Sequence, residues 1–182
     1  MKIWRFQSNP DVYETLTFAR NDGFEALDIL KNGQPLQDNW RDVPVATYKK
    51  KKKTDFMLVL SVPIISEKAR IVLEPLIANQ VEILPLLHPK DKYFAINVIN
   101  VIDCIDGSKA KFKLNERETV GSYQQYAFFP NSVKDQHIFL TRYHDRAILN
   151  SLIYFVSDDF RNAVLDNGLE GFIFTEAWDS EK

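Results

Sequence analysis

The sequence is poor in the residues from which most reactive centres are built. Its 182 residues include one cysteine, Cys104, so no intramolecular disulfide can close, as expected in a reducing compartment. Six glycines stand at positions 23, 33, 107, 121, 168 and 171, and none has the spacing of a dinucleotide turn or a phosphate-cradling loop. His88, His137 and His144 are scattered, and with a lone cysteine they lack the short ligand spacings of a tetrahedral zinc site. Neither a Gly-x-Ser-x-Gly elbow nor a His-Glu-x-x-His helix occurs. Cys104 follows the apolar residues Val98, Ile99, Val101 and Ile102 and lies beside Asp103 and near Asp106. Adjacent carboxylates disfavour a thiolate, so a buried structural thiol is expected rather than a nucleophile. These absences give the expectation of a non-enzyme without metal or cofactor.

Long apolar runs are also missing. The longest, residues 56–66, is too short to cross a bilayer, and Met1-Lys2-Ile3-Trp4-Arg5-Phe6 does not begin a signal peptide. The expected location is therefore cytoplasmic, away from membranes. A surplus of either charge is lacking too, because 23 basic residues meet 25 acidic ones for a formal net of −2. That balance argues against a general nucleic-acid binder, which needs excess cations to displace phosphate counterions.

What is present is a well-mixed globular composition, 45% hydrophobic and 13% aromatic, long enough for one sizeable core. A single domain over residues 1–182 is expected, with 1–88 and 89–182 as its two lobes. Short strand-like runs fill the first third: 1–6, 13–18, 36–40 and 43–48, with a turn at Asn32-Gly33-Gln34-Pro35. Lys49, Lys50, Lys51, Lys52 and Lys53 then read as a solvated loop. Residues 56–65 form an apolar run of strand length. Ser66 follows as a helix N-cap, with Glu67 in the first turn and Ala69, Val72, Leu73 and Leu76 as a buried stripe. Pro75 should kink or divide that helix, and a strand from Val81 should end at Pro85.

The same order recurs near the C-terminus: a strand over 152–156, Ser157 as N-cap, Asp158 and Asp159 in the first turn, then Phe160, Ala163 and Val164. Gly168 suits a left-handed C-cap, Leu169 its apolar contact, and 172–174 resumes extended structure. Ser66 aligns with Ser157, Arg70 with Arg161 and Leu73 with Val164, which implies a repeated strand-helix-strand unit. Between the units, 93–102 reads as a central strand, and Lys109, Lys111 and Lys113 alternate with Ala110, Phe112 and Leu114 as an edge strand guarded by charge. Two more strands over 123–129 and 137–143 are joined through Pro130-Asn131-Ser132. The fold class is α+β, strand-rich, with two capped helices.

The order of these segments resembles the bacterial immunity proteins of family eleven in polymorphic toxin systems. The likeness rests on residues 24–40, which lead into Gly33-Gln34-Pro35-Leu36-Gln37-Asp38-Asn39-Trp40, and on Ile65-Ser66-Glu67-Lys68-Ala69 with Glu82-Ile83-Leu84-Pro85-Leu86. It continues through residues 97–103, Val156-Ser157-Asp158-Asp159-Phe160, and Gly168-Leu169-Glu170-Gly171-Phe172 leading to Trp178. The resemblance implies an antidote that binds a cognate bacterial toxin, and it supplies no catalytic residue.

Charge summed by segment adds a binding expectation. Residues 1–156 carry 21 basic and 18 acidic residues, net +3, whereas 157–182 carry 2 and 7, net −5. Asp158, Asp159, Asp166, Glu170, Glu176 and Asp179 are the candidate partner-binding residues, an acidic face that could hold a basic toxin. Two alternatives stand beside this. One is a small-molecule protein or enzyme with a polar pocket around Asn97, Asn100 and Asp103. The other is a nucleic-acid-associated protein using the lysine run with Lys109, Lys111 and Lys113.

Overall fold

The computed structural model describes residues 1–19, 30–41, 43–150 and 153–182. Residues 24–29 of the family likeness, and Leu152 of the expected C-terminal strand, lie outside them. The strands are β1 (Lys2–Ser8), β2 (Thr15–Phe18), β3 (Val43–Lys49), β4 (Phe56–Val59), β5 (Val62–Ser66), β6 (Val81–Leu87), β7 (Tyr93–Val98) and β8 (Val101–Ile102). They continue as β9 (Lys111–Leu114), β10 (Val120–Gln125), β11 (Ile138–Thr141), β12 (Phe155–Ser157) and β13 (Phe172–Asp179). The helices are α1 (Glu67–Ile77), α2 (Pro130–Val133) and α3 (Asp158–Asp166). A six-stranded sheet runs β2-β3-β6-β7-β5-β4, a five-stranded sheet β13-β1-β12-β11-β8, and β9 pairs with β10 alone. The fold is α+β and rich in strand.

The repeat is real at the level of topology. In the first unit α1 joins β5 to β6, and β7 lies between them, antiparallel to both. In the second α3 joins β12 to β13, and β1 lies between them, again antiparallel to both. An antiparallel neighbour, β4 or β11, extends each unit on the same side. The inserted strand follows the first unit in sequence but precedes the second by most of the chain. Both helices start as expected: Ser66 accepts from the Ala69 amide and Ser157 from the Phe160 amide. Helix α3 closes with Gly168 at φ 56°, where the Leu169 amide donates to Val164 O and the Gly168 amide to Leu165 O. Replacing Ser157 by alanine should cost about 1 kcal/mol, seen as a lower urea midpoint. An unchanged midpoint would mean that packing alone holds the start of α3.

Several expected elements change shape. The run 56–65 is a two-residue hairpin, not one strand, with Leu60 and Ser61 both left-handed at φ 50° and 67° and Phe56 facing Ile65. Pro75 does not divide α1, which runs on to Ile77. The residue whose carbonyl loses its helical donor there is Ile71, itself 61% exposed and open to water. Strand β6 passes through Pro85 to Leu87, with Pro85 opposite Phe94. Residues 36–40 form a 3-10 turn at Gln37–Asn39 instead of a strand.

The expected central strand 93–102 divides between two sheets. Strand β7 stays in the six-stranded sheet, whereas β8 joins the five-stranded one parallel to β11. At the break, the amides of Ile99 and Asn100 both donate to Gln80 O at 3.1 and 3.2 Å. The Asn100 side chain donates to Gln136 Oε1 and to Ile138 O. Polar groups thus let the chain step from one sheet to the other. Strand β10 ends at Gln125, short of Phe129, and residues 130–133 turn into α2. Leu114, expected on the apolar face of β9, is exposed. One apolar cluster joins Ile65, Leu73 and Ile96 of the first unit to Phe6, Val156 and Phe160 of the second.

Candidate partner-binding surface

The structure treats the six C-terminal acids differently. Asp158 follows the Ser157 cap, and its two oxygens accept from the Lys2 amide and from Trp4 Nε1, each at 2.8 Å. It fastens α3 to β1. Glu176 and Asp179, near the end of β13, meet Lys2 of the neighbouring strand and Lys182. Lys2 lies 2.7 Å from Glu176 and 3.5 Å from Asp179, and Lys182 lies 2.8 and 3.9 Å from the same two groups. Hydrogen bonds from Lys182 and Lys2 hold the Glu176 carboxyl below the usual carboxylate range. The Glu181 amide, then the lysines, do the same for Asp179. Glu170 meets Lys52 at 2.8 Å. Asp159, 71% exposed and 3.8 Å from His137 Nδ1, and Asp166, also exposed, stay at the surface of α3. Glu176 and Asp179 are brought together, and Lys2 and Lys52 from outside the segment offset two of its surplus negative charges.

The lysine run is exposed yet anchored. Lys51 Nζ donates to the carbonyls of Pro10 and Asp11, Lys52 pairs with Glu170, and Lys53 sits 2.6 Å from Asp91 and 3.4 Å from Glu14. The Glu14 amide also donates to Lys52 O. Glu14 is 3% exposed and accepts from the Tyr93 hydroxyl at 2.8 Å. Burial, then this carboxylate, pushes the Tyr93 hydroxyl well up. The Lys53 ammonium holds Asp91 low, and Asp91 raises Lys53 in return. His88 Nδ1 accepts the Asp91 amide at 3.0 Å, which leaves its Nε2 facing Thr47 Oγ1 at 3.3 Å. Nothing in the sequence pattern flagged Glu14, whose partner Tyr93 lies 79 residues away, or joined His88 to Thr47, 41 residues away.

The expected polar pocket does not assemble. Asn97 is buried and donates to Gln34 O and Glu82 Oε2, holding the 33–36 segment over the sheet. Asn100 serves the crossing between sheets, and the Asp103 side chain is 75% exposed, 3.6 Å from Arg142. Cys104 is fully buried, and burial pushes its thiol up to about 12, as a structural cysteine requires. Ser157, His137 and Asp159 gather in space but form no relay. Both the serine and the aspartate approach the same ring nitrogen, and the serine oxygen already accepts the Phe160 amide. A cleft of about 770 Å³ beside Asp103 and Phe129 carries two arginines matched by two aspartates, Arg142 with Asp103 and Arg146 with Asp145. Among the described residues no group of three or more His, Cys, Asp and Glu side chains could hold a metal, and no helix is long and apolar enough to cross a membrane.

The geometry is that of an α+β scaffold with a charged surface. The chain belongs to the immunity protein family (Imm11), whose model matches residues 10–179. A comparison with curated proteins finds no match.

Proposed function

We propose that this protein acts in the cytoplasm as a non-enzymatic antidote, binding one cognate protein toxin of a polymorphic toxin system and blocking it during bacterial competition. The family match over residues 10–179 carries this reading. An antidote must release slowly, and an ordinary interface of roughly 1,600 Å² achieves this when a few anchors are well placed. Within the acidic segment, Asp159 and Asp166 are free enough to meet a basic toxin, because Asp158, Glu170, Glu176 and Asp179 already serve internal partners. The whole chain is proposed to fold as one unit.

Co-expression with the product of the neighbouring toxin-like gene tests the reading. Growth should be restored and the two proteins should co-purify; failure of both sinks it. Reversing charge at Asp159 and Asp166 should weaken the complex about tenfold and flatten its salt dependence. Unchanged affinity and salt slope would retire the acidic contact while leaving the antidote reading intact.

A further inference from the structure

Beside the lysine run lies a cleft of about 670 Å³, lined by Glu14, Lys50, Lys51, Lys53, His88 and Lys90 among others. That is the size of a site for a ligand or a peptide segment. Its lining also includes Asp91, so four lysines and two acidic residues share the cleft, a net of two positive charges. Lys53 alone serves both of these carboxylates. Lys50 and Lys51 make no ion pair with a carboxylate among the described residues, and Lys90 acts on Asp91 only through space, without a contact ion pair. Lys51 is held in place by two carbonyls rather than by a charge.

The framework around these cations is fixed. Glu14 is buried and bound to Tyr93, and His88 is locked by the Asp91 amide with its other nitrogen toward Thr47. The lining keeps a net positive charge after its two carboxylates are counted, and the low-dielectric walls of a cleft focus such a field on an entering anion. The space is far larger than a single inorganic anion needs, and the two carboxylates would repel a compact dianion placed against them. An extended chain can place separate carboxylates on Lys50, Lys51 and Lys90. Resting on the antidote reading, we infer that this cleft receives an acidic segment of the toxin, whose aspartate or glutamate side chains meet these three lysines.

The test uses the full chain with Lys50→Glu and Lys90→Glu combined, and Lys111→Glu with Lys113→Glu as a control on β9. Toxin association should slow and affinity should fall about tenfold in the cleft variant only. If wild-type protein binds the toxin and the cleft variant matches it in affinity and salt slope, the cleft inference is overturned. If wild-type protein does not bind the toxin, the antidote reading has failed instead. A second arm needs no toxin: a fluorescent hexaglutamate peptide, followed by anisotropy at low salt. Saturable binding lost in the cleft variant and kept in the β9 control supports the cleft as an acidic-segment site. No binding, equal loss in both variants, or displacement by inorganic phosphate at the peptide's own concentration overturns it.

Discussion

Phe160→Ala is expected to destabilise the protein by about 3–5 kcal/mol, the range for truncating a fully buried phenylalanine. Phe160 has no exposed surface. Its ring stacks 5.8 Å from Phe6 of β1 and meets Phe172 edge-on at 6.3 Å. It belongs to the same cluster as Ala69 and Leu73 of α1, so its removal opens a void where the two repeat units meet. Urea unfolding followed by circular dichroism should show one transition with a much lower midpoint. Two transitions, only one of them shifted, would show instead that the six-stranded and five-stranded sheets unfold separately and that the single-unit proposal is wrong.

Gly171→Ala should cost a comparable amount, about 3 kcal/mol, for a different reason. Gly171 adopts φ 97°, a conformation L-residues rarely enter. An added Cβ would overlap Thr54 Oγ1 and come within 2.6 Å of the Phe56 carbonyl oxygen. Neither neighbour can yield, since Thr54 Oγ1 donates to Phe56 O at 2.7 Å and accepts the Phe56 amide, and Phe56 is buried. Gly168 provides the control: it is also left-handed, at φ 56°, but nothing lies within 4 Å of the added atom. Gly168→Ala should therefore cost only about 1 kcal/mol of backbone strain. If the two variants melt alike, close packing at Gly171 is not what holds β13 against the start of β4.

Much of the local structure was legible because its causes are local. A serine before an acidic first turn caps a helix wherever it occurs, and Ser66 and Ser157 both do so. The glycine after Asn167 ends α3 for an equally local reason. What misled were elements lacking a turn signal. Leu60 and Ser61 reverse the chain with both residues left-handed, in the absence of the Asn-Gly that usually marks such a hairpin. The break at Asn100 inside an apolar run depends on Gln80 and Gln136, which lie 20 and 36 residues away in the chain. The acidic candidates fared likewise. Lys2, opposite Asp179, reaches Glu176 only because β1 pairs with β13 across nearly the whole sequence.

The sequence by itself determined the strand-rich α+β class, the two capped helices and their likeness, the burial of Cys104, and the family resemblance that the comparison then established. Those depend on neighbours a few residues apart or on composition. Only the tertiary structure decided which strand stands between the ends of each repeat, which acids are paired within the chain, and that an anchored lysine run lines a cleft with His88 and Lys90. Burial and pairing across more than a hundred residues, as between Lys52 and Glu170, set the effective charge of a side chain. A net charge of −2 counts ionisable groups but does not record where folding places them.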